Sequence, residues 1–360
     1  MNNRERFLRL MRYEPVDRLP VMALEPFELS AIDRWHNEGL PQEETPESYL
    51  GMAQLVQIGN IGLHPIPAFE EKVISEDSQY LVTTTALGTT EKRYKSAPST
   101  FYGHIDHPIK TRDDWESYKE RLDPDSPERL AGILTPSKVQ GFNASENPVG
   151  ICLFPFFFRF GFYTMGMERY LTAFHDEPDL IHDIFSHGSR LILATLPRIL
   201  DVIKIDFVLF AEDLAGKNGP LISPEIYKKF WFPWQGPIIR MLQEADVPVI
   251  CQWSAGRFDE LLPDMLEHGF NCTWPLERMA GMDAVELRRK YGRGLLLGGN
   301  ISKEAVLSGP KAIDREIDRL MPLIQQGGFI PALDDMVPME CPFSYFRHMV
   351  ERLQNLRLNG

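Results

Sequence analysis

Cysteine is scarce in this chain of 360 residues, and what there is does not pair. Cys152, Cys251, Cys272 and Cys341 are widely separated and form no CxxC, which excludes a disulfide framework and a zinc ribbon. Three of the four stand in apolar, strand-like runs, where buried reduced thiols are the ordinary outcome. A basic excess is missing too. With a net charge of −13 and no cluster of Lys and Arg, nothing is available to neutralise a phosphate backbone, so nucleic acid is excluded as a partner. No apolar run approaches the roughly 18 residues of a membrane span. The opening MNNRERFLRLMRYEPVDR is charged where a secretory signal would be apolar. These absences point to a cytoplasmic protein with no membrane partner. A GxGxxG turn is lacking after the first strand-like run, which argues against a doubly wound nucleotide-binding sheet.

What the sequence has is alternation. DFVLFAED (206–213), VPVICQW (247–253), FNCTW (270–274), GLLLGGN (294–300) and GFIPAL (328–333) are each followed by a helical stretch, the pattern of βα units on a parallel sheet. Earlier come RLPVMAL (18–24), a helix around 47–58 followed by IGLHPI (61–66), and PVGICLF (148–154). Five units plus three make eight, and eight parallel strands with outer helices close into an α/β (β/α)8 TIM barrel. One barrel domain over 1–360 is expected. The alternation breaks at 71–96, where two β-rich runs flank a Leu-Gly turn. This predicts an antiparallel hairpin after the second strand, within an insertion spanning 66–125. TRDDWESYKERL then reads as a helix capped by Thr111 or Asp113.

Barrel sites are built where the strands end. The strand ends carry Glu25, His64, Phe154, Glu212 with Asp213, Trp253, Trp274 with Glu277, Asn300, and Asp334 with Asp335. Glu212, Asp213, Asp334 and Asp335 are the expected acid/base or hard-ligand set. Successive strand residues point to opposite faces, so Glu212 and Asp213 cannot both face inward; Asp213 is expected at the mouth and Glu212 in the structure. Two rich aromatic stretches, FPFFFRFGFY (154–163) and FWFPW (230–234), suit either core packing or a ring-lined pocket for a flat ligand. In the second case Phe154, Phe156, Trp253, Trp274, Glu25 and Asn300 would contact substrate, and Arg159 an anion or carboxylate. Cys251 and Cys272 share strand faces with Trp253 and Trp274, so both thiols point in if the tryptophans do.

Several segments in order resemble one family. RERFLRLMRYEPVDRLPV, TRDDWESYKERLDPDSPERL, EDLAGKNGPLISPEIYKKFWFP, VPVICQWSAGRFDELLPDMLEHG, AGMDAVELRRKYG and GGNIS with DDMVPMECPFSYF are similar to the uroporphyrinogen decarboxylase superfamily. The resemblance implies a (β/α)8 barrel and one of two activities. One is cofactor-free decarboxylation of the acetate arms of a tetrapyrrole. The other is methyl transfer to or from a corrinoid protein, commonly with zinc. The decarboxylase branch carries an Arg-Gln-Ala-Gly-Arg-Tyr stretch for substrate carboxylates, where this chain reads MALEPFELSAIDRW. The coenzyme M branch carries His-x-Cys at the fifth strand end and a later Cys near the eighth; here stand Cys251-Gln252-Trp253-Ser254 and Asp334-Asp335. Members that demethylate donors such as methoxylated aromatics vary more at these positions and fit best. The expectation is therefore a methyltransferase passing a methyl group from a small-molecule donor to a corrinoid protein. Its zinc, if held, would sit on His64, Cys251 and Cys272, and a homodimer is left open. The alternatives are a decarboxylase of uroporphyrinogen III or a related acid, with Asp213 opposite a developing cation, and a non-catalytic tetrapyrrole-binding barrel.

Overall fold

The computed structural model describes residues 1–95 and 102–358. Strand β1 (Val56–Ile61) opens the main sheet. The chain then leaves it for a separate antiparallel sheet of β2 (Val73–Glu76), β3 (Tyr80–Thr84), β4 (Thr90–Tyr94) and β5 (Tyr102–Asp106), and returns with β6 (Val149–Leu153) and β7 (Phe207–Ala211). A short ribbon of β8 (Ala215–Gly216) and β9 (Gly219–Pro220) follows. After it come β10 (Val249–Trp253), β11 (Cys272–Trp274), β12 (Leu296–Ile301) and β13 (Phe329–Leu333). The main sheet is parallel throughout, in the order β1-β6-β7-β10-β11-β12-β13, and helices separate its strands along the chain. This is a mixed α/β, TIM-barrel-like architecture.

The strands form where apolar runs are long enough to be buried on both faces. FVLFA, LLGGNI and FIPAL are buried at every position, as expected of parallel strands between a barrel interior and a coat of helices. Close packing requires glycine at two interior points. A Cβ on Gly150 would lie 2.4 Å from the Phe207 ring, and one on Gly298 would lie 2.6 Å from Leu24.

Three expectations are corrected. RLPVMAL is not a ladder strand: it runs between β1 and β13 with one isolated parallel bridge, Met22 to Ala53, and a bond from the Ala53 amide to the Val21 carbonyl. Pro20 and the following Pro26 withhold amide donors that a full ladder needs. The sheet therefore has seven hydrogen-bonded strands, with this extended segment along the eighth position. The helix expected at 47–58 stops at Pro46–Tyr49, because Gly51 takes a left-handed φ of +64°, and the strand accordingly starts at Val56 instead of 61.

In place of a lone hairpin, the insertion holds four antiparallel strands, of which β3 and β4 are the pair around Leu87 and Gly88. Residues 96–101 of the expected insertion lie outside the described residues. Thr111 caps the helix Arg112–Lys119 in a reciprocal capping box with Asp114.

Candidate active site

The two acids that close β7 part company. Glu212 turns under the barrel rim, fully buried, where its Oε2 accepts the amides of Phe158 (2.7 Å) and Arg159 (3.2 Å) and its Oε1 accepts Trp231 Nε1 (3.1 Å). It thereby caps the helix Phe157–Met165, whose own N-cap residue, Phe156, has no side chain able to do so. Burial pushes its pKa up to about 8, against three N–H donors that favour the carboxylate. Asp213 instead faces the mouth, where its Oδ2 meets Arg159 Nη2 at 2.5 Å. Burial raises the Asp213 pKa, and the guanidinium opposes that rise.

Arg159 is the hub of the mouth. Its guanidinium lies 4.9 Å from the Trp253 ring centroid and 5.3 Å from that of Phe154, and Nη1 donates to the Tyr163 hydroxyl at 2.9 Å. Burial pulls its pKa down, but Asp213, Tyr163 and Tyr102 outweigh that and leave it raised. Tyr102 belongs to β5, so the inserted sheet reaches the site. Thr89 Oγ1 and His107 also bond the Tyr163 carbonyl, at 2.8 Å each. Burial, with Tyr163 and Glu91 nearby, pushes Tyr102 up to about 12.

Opposite Arg159 stands Glu25, delivered by the segment along the eighth strand position. Trp253 Nε1 donates to its Oε1. Burial, reinforced by the charges of Asp335 and Asp213, pushes its pKa up to about 8, while Trp253 and Arg159 work the other way. Asp335 is ion-paired with Lys303. Glu25 and Asp335 are the two acids on an otherwise apolar, narrow crevice of about 20 Å³ between residues 21–27, β13 and the helix Phe343–Gln354. The mouth thus brings together Glu25, Phe154, Arg159, Asp213, Trp253 and Asp335 from the sequence-derived set.

The remaining candidates serve the scaffold. Asp334 is fully buried, its two oxygens accepting the amides of Arg278 and Lys303, both at 2.9 Å; burial pushes its pKa up to about 6. Asn300, at a left-handed φ of +70°, spends its side chain on Ala284 N, Leu276 O, Met282 O and Arg319. Phe156 is core, stacked on Phe157 at 4.1 Å. Phe157, Phe158, Phe160, Phe230 and Trp231 are buried with it, so the aromatic excess mostly fills the layer between barrel and helices. Trp274 is also fully buried, beside Trp253 in the ladder.

The expected zinc ligands do not assemble. Cys251 and Cys272 sit opposite each other in the β10–β11 ladder, side chains in contact, and burial pushes Cys251 well up. His64 Nε2 donates to Phe154 O (2.6 Å) and shares a crevice with Leu191 and Thr195 of the helix Pro178–Leu200, with burial lowering its pKa. Among the described residues no three His, Cys, Asp or Glu side chains are disposed to hold a metal ion. These residues do not fit zinc.

Sequence reasoning missed Lys303, Tyr102, Tyr163 and Cys152. Lys303 follows a strand end by only three residues, a signal that could have been used. Tyr102 lies in the insertion, and nothing local announces that it folds back to Arg159. Cys152 carries the influence of both Arg159 and Glu25, and burial pushes its thiol up to about 12.

Comparison with known proteins agrees with this geometry at the level of fold and family. No curated protein matches the chain. A methyltransferase from Methanosarcina mazei superposes with a TM-score of 0.60 at 15% identity, covering 98% of each chain, which shows a shared fold. A B12-independent methionine synthase from Shewanella sp. W3-18-1, in complex with selenomethionine, gives 0.42 at 8% identity, with 93% of this chain and 96% of that one covered. Among described residues no helix is long and apolar enough to cross a membrane. The profile of the uroporphyrinogen decarboxylase (URO-D) family matches residues 148–356, more than half of the chain and all of the run from β6 to β13, and on that match this protein belongs to the URO-D family.

Proposed function

We propose that this protein is a methyltransferase that moves a methyl group from a small methylated donor, of the methoxylated aromatic kind, to the corrinoid of a partner protein. The observation that carries the proposal is Glu25: a half-buried carboxyl bonded to Trp253 in the mouth with a pKa of about 8, so that it holds its proton at neutral pH. Cleaving a methyl ether leaves an alkoxide or phenoxide, a poor leaving group unless a proton arrives as the bond breaks. The corrinoid, when the partner presents it, supplies the nucleophile for the methyl carbon. Trp253 Nε1 occupies Glu25 Oε1, which leaves Oε2 to carry the proton and aligns the carboxyl. Glu25 passes that proton to the departing oxygen and is left as a carboxylate. Desolvation, reinforced by the charges of Asp335 and Asp213, keeps Glu25 protonated beforehand.

The mouth offers little to a polycarboxylate tetrapyrrole, since Arg159 and Lys303 are already paired with Asp213 and Asp335. That favours methyl transfer over decarboxylation within the family. The test is incubation of the purified protein with reduced cobalamin and a panel of methoxylated aromatics. Equal amounts of phenol and methylated corrinoid are expected; conversion of uroporphyrinogen to coproporphyrinogen without methyl transfer would overturn the proposal.

A further inference from the structure

The mouth contains the parts of a cation-binding box, and the box is full. Trp253 and Phe154 present ring faces within the roughly 6 Å over which a cation is attracted to an aromatic quadrupole. Asp213 supplies the countercharge and Tyr163 an oxygen. A methylated ammonium or sulfonium would need this same set, and Arg159 occupies it. The side chain starts from a fixed backbone, because the amides of the first turn of its helix are held by buried Glu212. The other cation of the mouth, Lys303, is held by Asp335 from β13's end.

We infer that Arg159 is a built-in plug in an aromatic and carboxylate cation site, so that the donor this mouth accepts is uncharged. Quaternary ammonium and sulfonium donors are rejected because their place is taken, and polycarboxylates because both cations are paired. A neutral ether meets no such conflict. The Nε of Arg159 is itself buried, without a partner among the described residues, so the guanidinium is enclosed in the box along its length. This inference rests on reading the mouth as the methyl-donor site and adds the donor's charge.

The test needs no methyl transfer. Calorimetric titration of tetramethylammonium into the parent protein and into Arg159→Ala compares the plugged and the emptied box. Binding at least about tenfold tighter in the variant is expected, and loss of that gain in Arg159→Ala/Trp253→Leu. Equal binding by parent and folded Arg159→Ala, or a gain that survives loss of Trp253, would overturn the plug. Should Arg159→Ala fail to fold, millimolar tetramethylammonium or guanidinium is expected to restore its cooperative melt where sodium does not; no rescue by either would equally overturn it. A binding gain in a protein inert toward every methyl donor would strike the proposed function while leaving the plug in place.

Discussion

Glu25 and Glu212 have the same raised pKa of about 8 and opposite uses, because one keeps a free oxygen at the mouth and the other spends both on N–H donors. Glu25→Gln is expected to lower the methyl-transfer rate by about 10²- to 10⁴-fold, the usual worth of a positioned acid, with the donor's binding constant nearly unchanged. The folded-state pKa of Glu25 lies above its ordinary 4.5, so its proton favours the folded state. That contribution is complete below about pH 4.5 and is lost as pH rises through about 8. Urea midpoints measured from pH 5 to 9 should therefore fall less steeply in Glu25→Gln than in the parent. Glu212→Ala leaves three buried donors unsatisfied and is expected to cost roughly 3 kcal/mol of stability by denaturant titration. At this scale the sequence was partly legible. Strand period alone separates Asp213 from Glu212, whereas the role of Glu25 depends on Trp253 and Asp335, more than two hundred residues away, and no local pattern encodes that meeting.

The elements that shape the mouth are loops pinned to each other. Gly256, after β10, takes a φ of +76°; a Cβ there would lie 2.6 Å from the Ala215 carbonyl of β8, and its amide is held by Glu277 beyond β11 at 2.9 Å. Gly256→Ala is expected to cost about 1 to 3 kcal/mol and to raise the KM for the donor, since the same loop follows Asp213. A thermal melt alongside initial-rate kinetics would check both; unchanged stability would mean that the close approach is not fixed. The strands from β6 onward were readable because continuous apolar runs bounded by Gly, Pro or Asp have few other fates. The region before β6 was harder. RLPVMAL looks like a strand by composition, yet Pro20 and the following Pro26 leave it only one bridge, and the four-stranded insertion was half visible because two of its strands, β2 and β5, are mostly exposed and lack an apolar face.

For the whole molecule, the parallel sheet and its helical coat bring strand ends from seven separate segments to one rim, and this convergence, with the family match over residues 148–356, gives the acidic mouth its meaning. The parallel α/β sheet and the ring of strand-end acids could be read from the alternation, although the count of eight strands included one segment that makes only a bridge. Beyond Glu212 and Asp213, the division of those acids into scaffold and site could not be read, because it is decided by which partners each carboxylate finds after folding: Asp334 finds two backbone amides, Glu25 a side chain. The central claim is that protonated Glu25 assists methyl departure toward a corrinoid. Its most direct measurement is the rate of corrinoid methylation by the parent protein with a neutral methoxylated donor as pH is raised from 6 to 9. A rate that falls through about pH 8, and that loses this dependence in Glu25→Gln, is what the account predicts. An undiminished rate at pH 9, or a Glu25→Gln variant as fast as its parent, would contradict it.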